Sequence, residues 1–346
     1  MLKHLTSSSN ENKCGFIFEL SGEHESLPKA EIIGCLEAEK IDFRVAEEDL
    51  GVLIMDVPEL DLEEMKRRLA LTHNIQNHLF SCEADELAAL RKAFEIGEGS
   101  FAVRAKRIQR FHENLNLKDV ERTVAENVVG KNEVDLSDPN IEVRVILSDR
   151  CHIGITLAKI DRSAFESRKV QFRPYFSPVS LHPRLARALV NLSRVKKGQT
   201  LLDPFCGTGG VLIEAALVGA KPIGSDIDKR MVDGCQENLS SLNIQNAELF
   251  CSDIREVINK MEDVDAIATD PPYGRSATTN GEEVFSLYKR AFKTFSEVLK
   301  PGGYLSILLP DAKFIQIGEK YLSLKESYAL RVHKSLTRNF CVYRKK

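Results

Sequence analysis

Apolar positions along this chain fall into two rhythms, and the switches between them lay out the elements. In the first part, CGFIFEL (14–20) and GVLIMDV (51–57) are short continuous apolar runs that predict strands. Residues 28–40 and 60–71 carry helical spacing. Together they predict a small α+β unit, with residues 72–80 as its exit. A second unit is expected from about residue 82 to 160. It holds a helix over 87–96, a strand over SFAVRAKRI (100–108), a helix over 117–130 and a strand hairpin over 141–149 and 152–160. Residues 161–182 are a linker rich in Arg, Pro and Ser. Pro183 then opens a helix on which Leu185, Leu189 and Leu192 share a side.

From residue 198 the rhythm is regular. Strands are expected at 200–203, 222–227, 247–253, 264–270 and 302–310, with helices at 209–218, 229–242, 254–261 and 283–299 between them. A short helix and two last strands, near 329–335 and 339–344, follow. Strands alternating with helices of this length predict a parallel doubly wound α/β sheet. The closing pair predicts an antiparallel strand at one edge. The expected domain limits are 1–80, 81–160, a linker over 161–182, and 183–346.

The chain has 346 residues, 43% hydrophobic and 29% charged, an ordinary globular composition with room for two or three domains. No apolar stretch approaches the ~20 residues of a membrane span. The opening MLKHLTSSSN lacks the apolar core of a secretory signal, so a cytoplasmic protein is expected. Eight cysteines are scattered without a C-x-x-C pair, which argues against a zinc site or a disulfide framework and predicts reduced, mostly buried thiols. Net charge is only −3, but it is unevenly spread. Residues 1–100 hold ten basic and 21 acidic side chains, whereas 159–197 hold ten basic against two acidic, and the tail after Leu330 is basic throughout. Arg104, Lys106, Arg107 and Arg110, at the end of the 100–108 strand, with Arg168 and Arg173 of the linker, are candidate phosphate contacts. The alternative for the strand is an edge blunted by charge.

Four motifs bear chemistry, each at the end of a predicted strand. Asp203-Pro-Phe205-Cys-Gly207-Thr-Gly209-Gly210 joins a strand to a helix. Its glycines allow a tight turn and close backbone approach to a ligand. The position where a dinucleotide fingerprint needs its last glycine is Leu212, and Asp203 would repel a pyrophosphate. An acid there suits the amine and sulfonium of S-adenosyl-L-methionine. Asp226 stands one β-α-β step later, where an acid accepts ribose hydroxyls, with Ile227 beside the adenine. Asp228 is the candidate helix cap. Asp253 is placed to take the adenine amino group, with Ile254 against the ring, and is equally placed to cap a helix.

The fourth motif is Asp270-Pro271-Pro272-Tyr273-Gly274. An exocyclic base amine is a poor nucleophile because its lone pair is delocalised into the ring. An aspartate and a rigid carbonyl that accept its two N–H groups favour a pyramidal nitrogen as a methyl group arrives. The two prolines hold the Pro271 carbonyl in place, and Tyr273 can stack on the base.

D-P-F-C-G-T-G-G with D-P-P-Y-G resembles the amino-methyltransferase branch of the class I methyltransferases. FAVRAKRI resembles the core strand of THUMP domains, which bind RNA. RPYFSPVSLHPRLARALVNL (173–192) is similar to the linker and first catalytic-domain helix of archaeal enzymes that methylate N2 of guanine at position ten of tRNA. The resemblance covers residues 80–346 well and the first eighty loosely. It implies a Rossmann-like class I methyltransferase domain preceded by an N-terminal ferredoxin-like α+β domain and a THUMP domain. By the same resemblance, Ser177 and Leu181 lie at the methionine end of the cofactor. Asp203, Gly207, Gly209, Asp226 and Asp253 bind the rest, and Asp270, Pro271 and Tyr273 hold the guanine. Ser177 stands where the resemblance leads one to expect His. The implied partner is tRNA, with no membrane and no metal, the chain acting as a monomer unless an accessory subunit joins it. Four rivals stay open: a THUMP-bearing rRNA guanine-N2 methyltransferase, a non-catalytic RNA-binding protein with a degenerate methyltransferase domain, a DNA amino-methyltransferase, and, more distantly, a nicotinamide dehydrogenase, against which Leu212 and the Asp-Pro-Pro-Tyr turn both speak.

Overall fold

The computed structural model describes residues 15–177, 180–261, 263–273, 283–333 and 336–346. Cys14, Pro178, Gly274 and Lys334, all drawn on above, lie outside them. The chain forms two compact units. The first comprises residues 1–25, 41–66 and 72–160, and the second comprises 26–40, 67–71 and 161–346.

In the first unit one sheet runs through both expected N-terminal domains. Its strands are β1 (Gly15–Leu20), β2 (Arg44–Asp49), β3 (Val52–Asp56), β4 (Thr72–Cys82), β5 (Ser100–Arg107), β6 (Glu133–Val134), β7 (Ile141–Leu147) and β8 (Cys151–Lys159). They are ordered β2-β3-β1-β4-β8-β7-β5-β6. No break falls near residue 80, because β4 pairs with β1 on one side and β8 on the other. The expected exit segment is thus a central strand. β2, RVAEED, escapes a hydrophobic reading because it is an edge strand paired only to β3 and carries charge along its length. The helix expected over 87–96 is only Ala84–Ala88. A capping box between Glu83 and Glu86 starts it early. Beyond it, extended backbone bridges Phe94 to Val128 and sends Phe94 edge-on against Phe80 at 5.5 Å.

Glu19 of β1 is fully buried in this unit. Its carboxylate receives Lys106 Nζ at 2.6 Å, Arg144 Nε at 2.5 Å and Asn74 Nδ2 at 2.7 Å. Burial alone would raise its pKa. The two cations outweigh burial and hold it at about 2.

The second unit holds the sheet expected from the C-terminal rhythm. Its strands are β9 (Thr200–Asp203), β10 (Lys221–Asp226), β11 (Glu248–Cys251), β12 (Val264–Thr269), β13 (Leu299–Leu309), β14 (Ser323–His333) and β15 (Leu336–Arg344). The order is β11-β10-β9-β12-β13-β15-β14, with β9 to β13 parallel and β15 antiparallel to both neighbours. One core lies on each face. Leu201, Ala266, Ala268, Leu308, Phe340 and Val342 turn one way, and Leu202, Ile267, Ile307, Cys341 and Tyr343 turn the other.

Two N-terminal segments belong to this unit: the helix Leu27–Glu39 and residues 67–71. They meet the helix Pro183–Leu192 through buried polar groups. Glu31 accepts the N–H groups of Ala70 (3.1 Å) and Leu71 (2.8 Å) and Asn191 Nδ2 at 2.9 Å. Asn191 Oδ1 in turn accepts Arg68 Nε at 3.2 Å. Gly34 is needed at this crossing, since a Cβ there would lie 2.9 Å from the Asn191 carbonyl oxygen. No helix of the described residues is long and apolar enough to cross a membrane.

Candidate active site

Strand order brings the motifs together. β9 lies between β10 and β12, so the connections at its carboxyl end diverge and leave a crevice. Asp203 ends β9, Asp226 ends β10, and Asp270 follows the last residue of β12.

Asp203 is 2% exposed; its Oδ1 accepts the Thr269 hydroxyl at 2.6 Å and the Phe205 N–H at 3.2 Å. Burial, with the nearby charges of Asp270 and Asp226, pushes its carboxyl up to about 7 against those hydrogen bonds. Asp226 closes the glycine turn: Oδ2 accepts the Gly207 N–H at 3.0 Å and Oδ1 the Asp228 N–H at 3.0 Å. Burial also raises its pKa. Asp228 is the helix cap, accepting the Arg230 N–H at 2.9 Å. Gly209, at φ 87°, passes so close to the next helix that a Cβ would lie 2.6 Å from Cys235 Sγ. At Gly207 a Cβ would meet nothing within 4 Å, so the turn is open on that side. Ile227 is half exposed beside it.

Asp253 caps the turn Ile254–Glu256 through the Arg255 N–H at 2.9 Å, and the same oxygen takes Arg255 Nε and, at 3.0 Å, Arg290 Nη1. Partial burial works against the ionised form, but these bonds prevail and its pKa is lowered. Two expected cofactor contacts sit differently. Ile254 is buried in the sheet core, and Leu181 is buried in the opposite core, so neither side chain is presented to an open cleft. The linker is nonetheless held against the glycine turn. Ser180 Oγ lies 3.4 Å from both the Ser177 carbonyl oxygen and Thr208 Oγ1. Asn238 bonds the Tyr175 backbone at both ends and the Thr208 carbonyl at 3.0 Å.

At the Pro-Pro turn, Tyr273 donates its hydroxyl to Asp270 Oδ1 at 2.5 Å, so its first partner is the carboxylate. Arg338 Nη2 stands 3.9 Å from Asp270 Oδ2, and its guanidinium lies 5.8 Å from the Tyr273 ring centre. Burial raises the Asp270 pKa, while Arg338 and the Tyr273 hydroxyl draw it back. The Tyr288 hydroxyl reaches the Pro272 carbonyl at 3.5 Å, steadying the turn without using the Pro271 carbonyl.

The expected phosphate contacts divide. Lys106 neutralises buried Glu19, and Arg107 donates to the carbonyls of His112 and Leu115. Arg168 is paired with fully buried Glu214 at 2.9 Å, and Arg173 is 8% exposed with Nε on the Arg168 carbonyl. These four have structural partners or burial that a solvated phosphate contact lacks. Arg104 donates one nitrogen to the Leu136 carbonyl, and Arg110 is exposed, 3.6 Å from Glu113. Sequence reasoning missed Thr269, Asn238 and Arg338. Thr269 directly precedes the fourth motif, whereas Arg338 was visible only as one charge of a basic tail.

Adenosylmethionine fits these residues. Three carboxylates, two of them raising the pKa of the third, surround an open glycine turn, and a ligand carrying an ammonium and a sulfonium relieves that repulsion.

Comparison with known proteins identifies the domains and the family. Residues 171–339 match the RMKL-like methyltransferase domain, and residues 86–156 match the THUMP domain. Among solved structures, TrmN from Thermus thermophilus superposes with a TM-score of 0.54 at 21% identity, covering 96% of this chain and 100% of that one. The putative methyltransferase SMU.472, complexed with SAH, gives 0.51 at 16% identity, covering 97% and 99%. At these identities both speak to the fold. A tRNA (guanine(10)-N2)-dimethyltransferase from Methanothermobacter thermautotrophicus is 39% identical over 327 residues, 92% of this chain and 96% of that protein. Its counterpart in Methanocaldococcus jannaschii is 34% identical over 95% of this chain and 99% of its own length. Likeness of that extent, over nearly the whole of both chains, means that this chain belongs to the tRNA (guanine(10)-N2)-dimethyltransferase family.

Proposed function

We propose that this chain is a cytoplasmic enzyme that transfers methyl groups from S-adenosyl-L-methionine to the exocyclic N2 of guanine at position ten of tRNA, forming N2-methylguanosine and N2,N2-dimethylguanosine. The observation that carries the reading is the gathering of Asp203, Asp226 and Asp270 around the open glycine turn at the strand-order reversal, with the Pro-Pro turn at its rim. The family membership supports tRNA as the substrate.

Asp203 would hold the amino-acid ammonium of the cofactor. Asp226 would accept the ribose hydroxyls beside Ile227, and Asp253 would take the adenine end. The bound cofactor supplies an electrophilic methyl group on sulfonium. Asp270 and the Pro271 carbonyl accept the two N–H groups of the guanine amine, which turns the nitrogen lone pair toward that methyl group. As the new N–C bond forms, the sulfonium–methyl bond would break with its electron pair left on sulfur, giving the neutral thioether adenosylhomocysteine; the nitrogen becomes cationic and its surplus proton passes to Asp270. A carboxylate made more basic by burial is suited to receive it. Most of the acceleration then comes from alignment of the amine with the methyl group. Base pairing hides N2, so the guanine must be flipped out before it reaches Asp270. Tyr273 keeps its bond to Oδ1 of Asp270 as the base enters at Oδ2, and its ring lies against the base. Arg104 and Arg110 are the cations we assign to the RNA backbone.

The test is to incubate the purified protein with an unmodified tRNA transcript and adenosylmethionine, then map methylated nucleosides by mass spectrometry. Methylated guanosine at position ten is expected. Methylation only at guanosines other than the one at position ten, or none despite cofactor binding, would overturn the assignment.

A further inference from the structure

One charged residue at the rim has no part in the scheme so far. Arg338 is the third residue of β15. Because β15 is antiparallel to β13, its beginning lies where the parallel strands end, and Asn339 stands opposite Leu309, the last residue of β13. Phe340 and Val342 share one core with Ala266 and Ala268, so Arg338 and Asp270 project from the same face of the sheet. Two strand spacings separate β15 from β12, about 10 Å, a gap that only a long side chain crosses.

Having crossed it, the guanidinium stops short of a hydrogen bond. Nη2 is 3.9 Å from Asp270 Oδ2, near enough to act by charge and far enough to leave that oxygen's lone pairs free. The other oxygen is already taken by the Tyr273 hydroxyl. The Arg338 side chain is 11% exposed, and its Nε is buried with no hydrogen-bond partner among the described residues. Burying an incompletely bonded cation is costly, and here the return is its field on Asp270.

Resting on the function proposed above, we infer that Arg338 is a positioning residue for methyl transfer: it keeps Asp270 a carboxylate with Oδ2 open to the guanine N–H, and it steadies the Tyr273 ring that the base must meet. Arg338 is set among groups that all bear on Asp270. Tyr273 donates to it from the same turn, Asp203 on β9 interacts with it as a like charge, and Tyr288 from the helix Val284–Val298 lies beneath the turn. Among these groups Arg338 supplies the positive charge that lowers the Asp270 pKa.

The experiment compares wild type, Arg338→Met and Arg338→Lys. Single-turnover methylation is followed across pH at saturating cofactor, with adenosylhomocysteine affinity and melting temperature as controls. Removing the charge in R338M should move the acid limb of the rate profile upward by about one pH unit or more. Adenosylhomocysteine should bind R338M as it binds wild type. R338K should return the limb toward the wild-type position while remaining slower, because a lysine keeps the charge and loses the planar head over Tyr273. An R338M limb that does not move, or R338K and R338M limbs displaced equally, would overturn the inference. If R338M does not fold, the position of the R338K limb decides alone: near wild type supports the inference, and a displacement as large as one pH unit contradicts it. A wild-type chain that methylates no guanine would count against the proposed function instead.

Discussion

Asp270→Asn isolates the charge at the reacting centre. The amide keeps the volume of the carboxylate and one oxygen that can still accept the Tyr273 hydroxyl, now at 2.5 Å. It loses the negative charge beside a nitrogen that becomes cationic, and it presents an NH2 where a proton should be received. Removal of one such preorganised group costs about 10²–10³ in rate, or roughly 3–4 kcal/mol of transition-state stabilisation. Stability should move the other way. Burial raises the folded-state Asp270 pKa above its ordinary value of 3.8, so wild-type stability declines as pH climbs from that value through the folded pKa, and the uncharged amide escapes this decline. D270N should therefore melt higher than wild type at neutral pH while methylating far more slowly. Asp270→Ala is less informative, because it also removes the oxygen that accepts the Tyr273 hydroxyl. Single-turnover transfer of labelled methyl to tRNA, with calorimetry of adenosylhomocysteine, reads both effects. D270N transferring methyl as fast as wild type would refute the role given to this carboxylate.

The cofactor side makes its own predictions. Asp226→Ala removes an acceptor of two backbone N–H groups and the proposed ribose contact, and should weaken cofactor binding by about 2 kcal/mol, roughly 30-fold, in calorimetry. Asp203, pushed up to about 7, is partly protonated near neutrality. Binding of the cationic cofactor should expel that proton, so affinity falls as pH drops through about 7, and binding heats should vary with buffer ionisation enthalpy. In the first unit, the Glu19 pKa of about 2 lies below its ordinary 4.5, which corresponds to about 3 kcal/mol of stability at neutral pH. That stability is fully present above 4.5 and disappears as pH falls toward 2. Glu19→Gln should lower the denaturation midpoint at pH 7 and narrow its difference from wild type in acid.

The parts of the site that follow from strand ends were open to sequence reasoning. A turn between a strand and a helix has a predictable place at the carboxyl rim, so Asp203, Gly207, Asp226 and Asp270 could be brought together before any coordinates. Contacts between distant segments were not open to it. Glu19 meets Arg144 across 125 positions, and the same carboxylate takes Lys106 out of the expected phosphate patch and into an ion cluster. The helix Leu27–Glu39 reads as a member of a small N-terminal domain, yet its buried Glu31 ties it to Asn191 in the second unit. Family resemblance likewise places Leu181, and the Asp253 motif places Ile254, at the cofactor, but only packing shows that both face into cores. Arg338 lay hidden for a similar reason: a charge near a terminus gains meaning only when strand pairing brings it to the rim.

Everything in the account turns on one amine held by Asp270 and the Pro271 carbonyl. The most direct measurement is methyl transfer to two otherwise identical tRNA transcripts, one with guanosine and one with inosine at position ten. Inosine keeps the ring and O6 and lacks only the N2 amino group. Transfer to the first and none to the second is the predicted result; equal incorporation into both would contradict it.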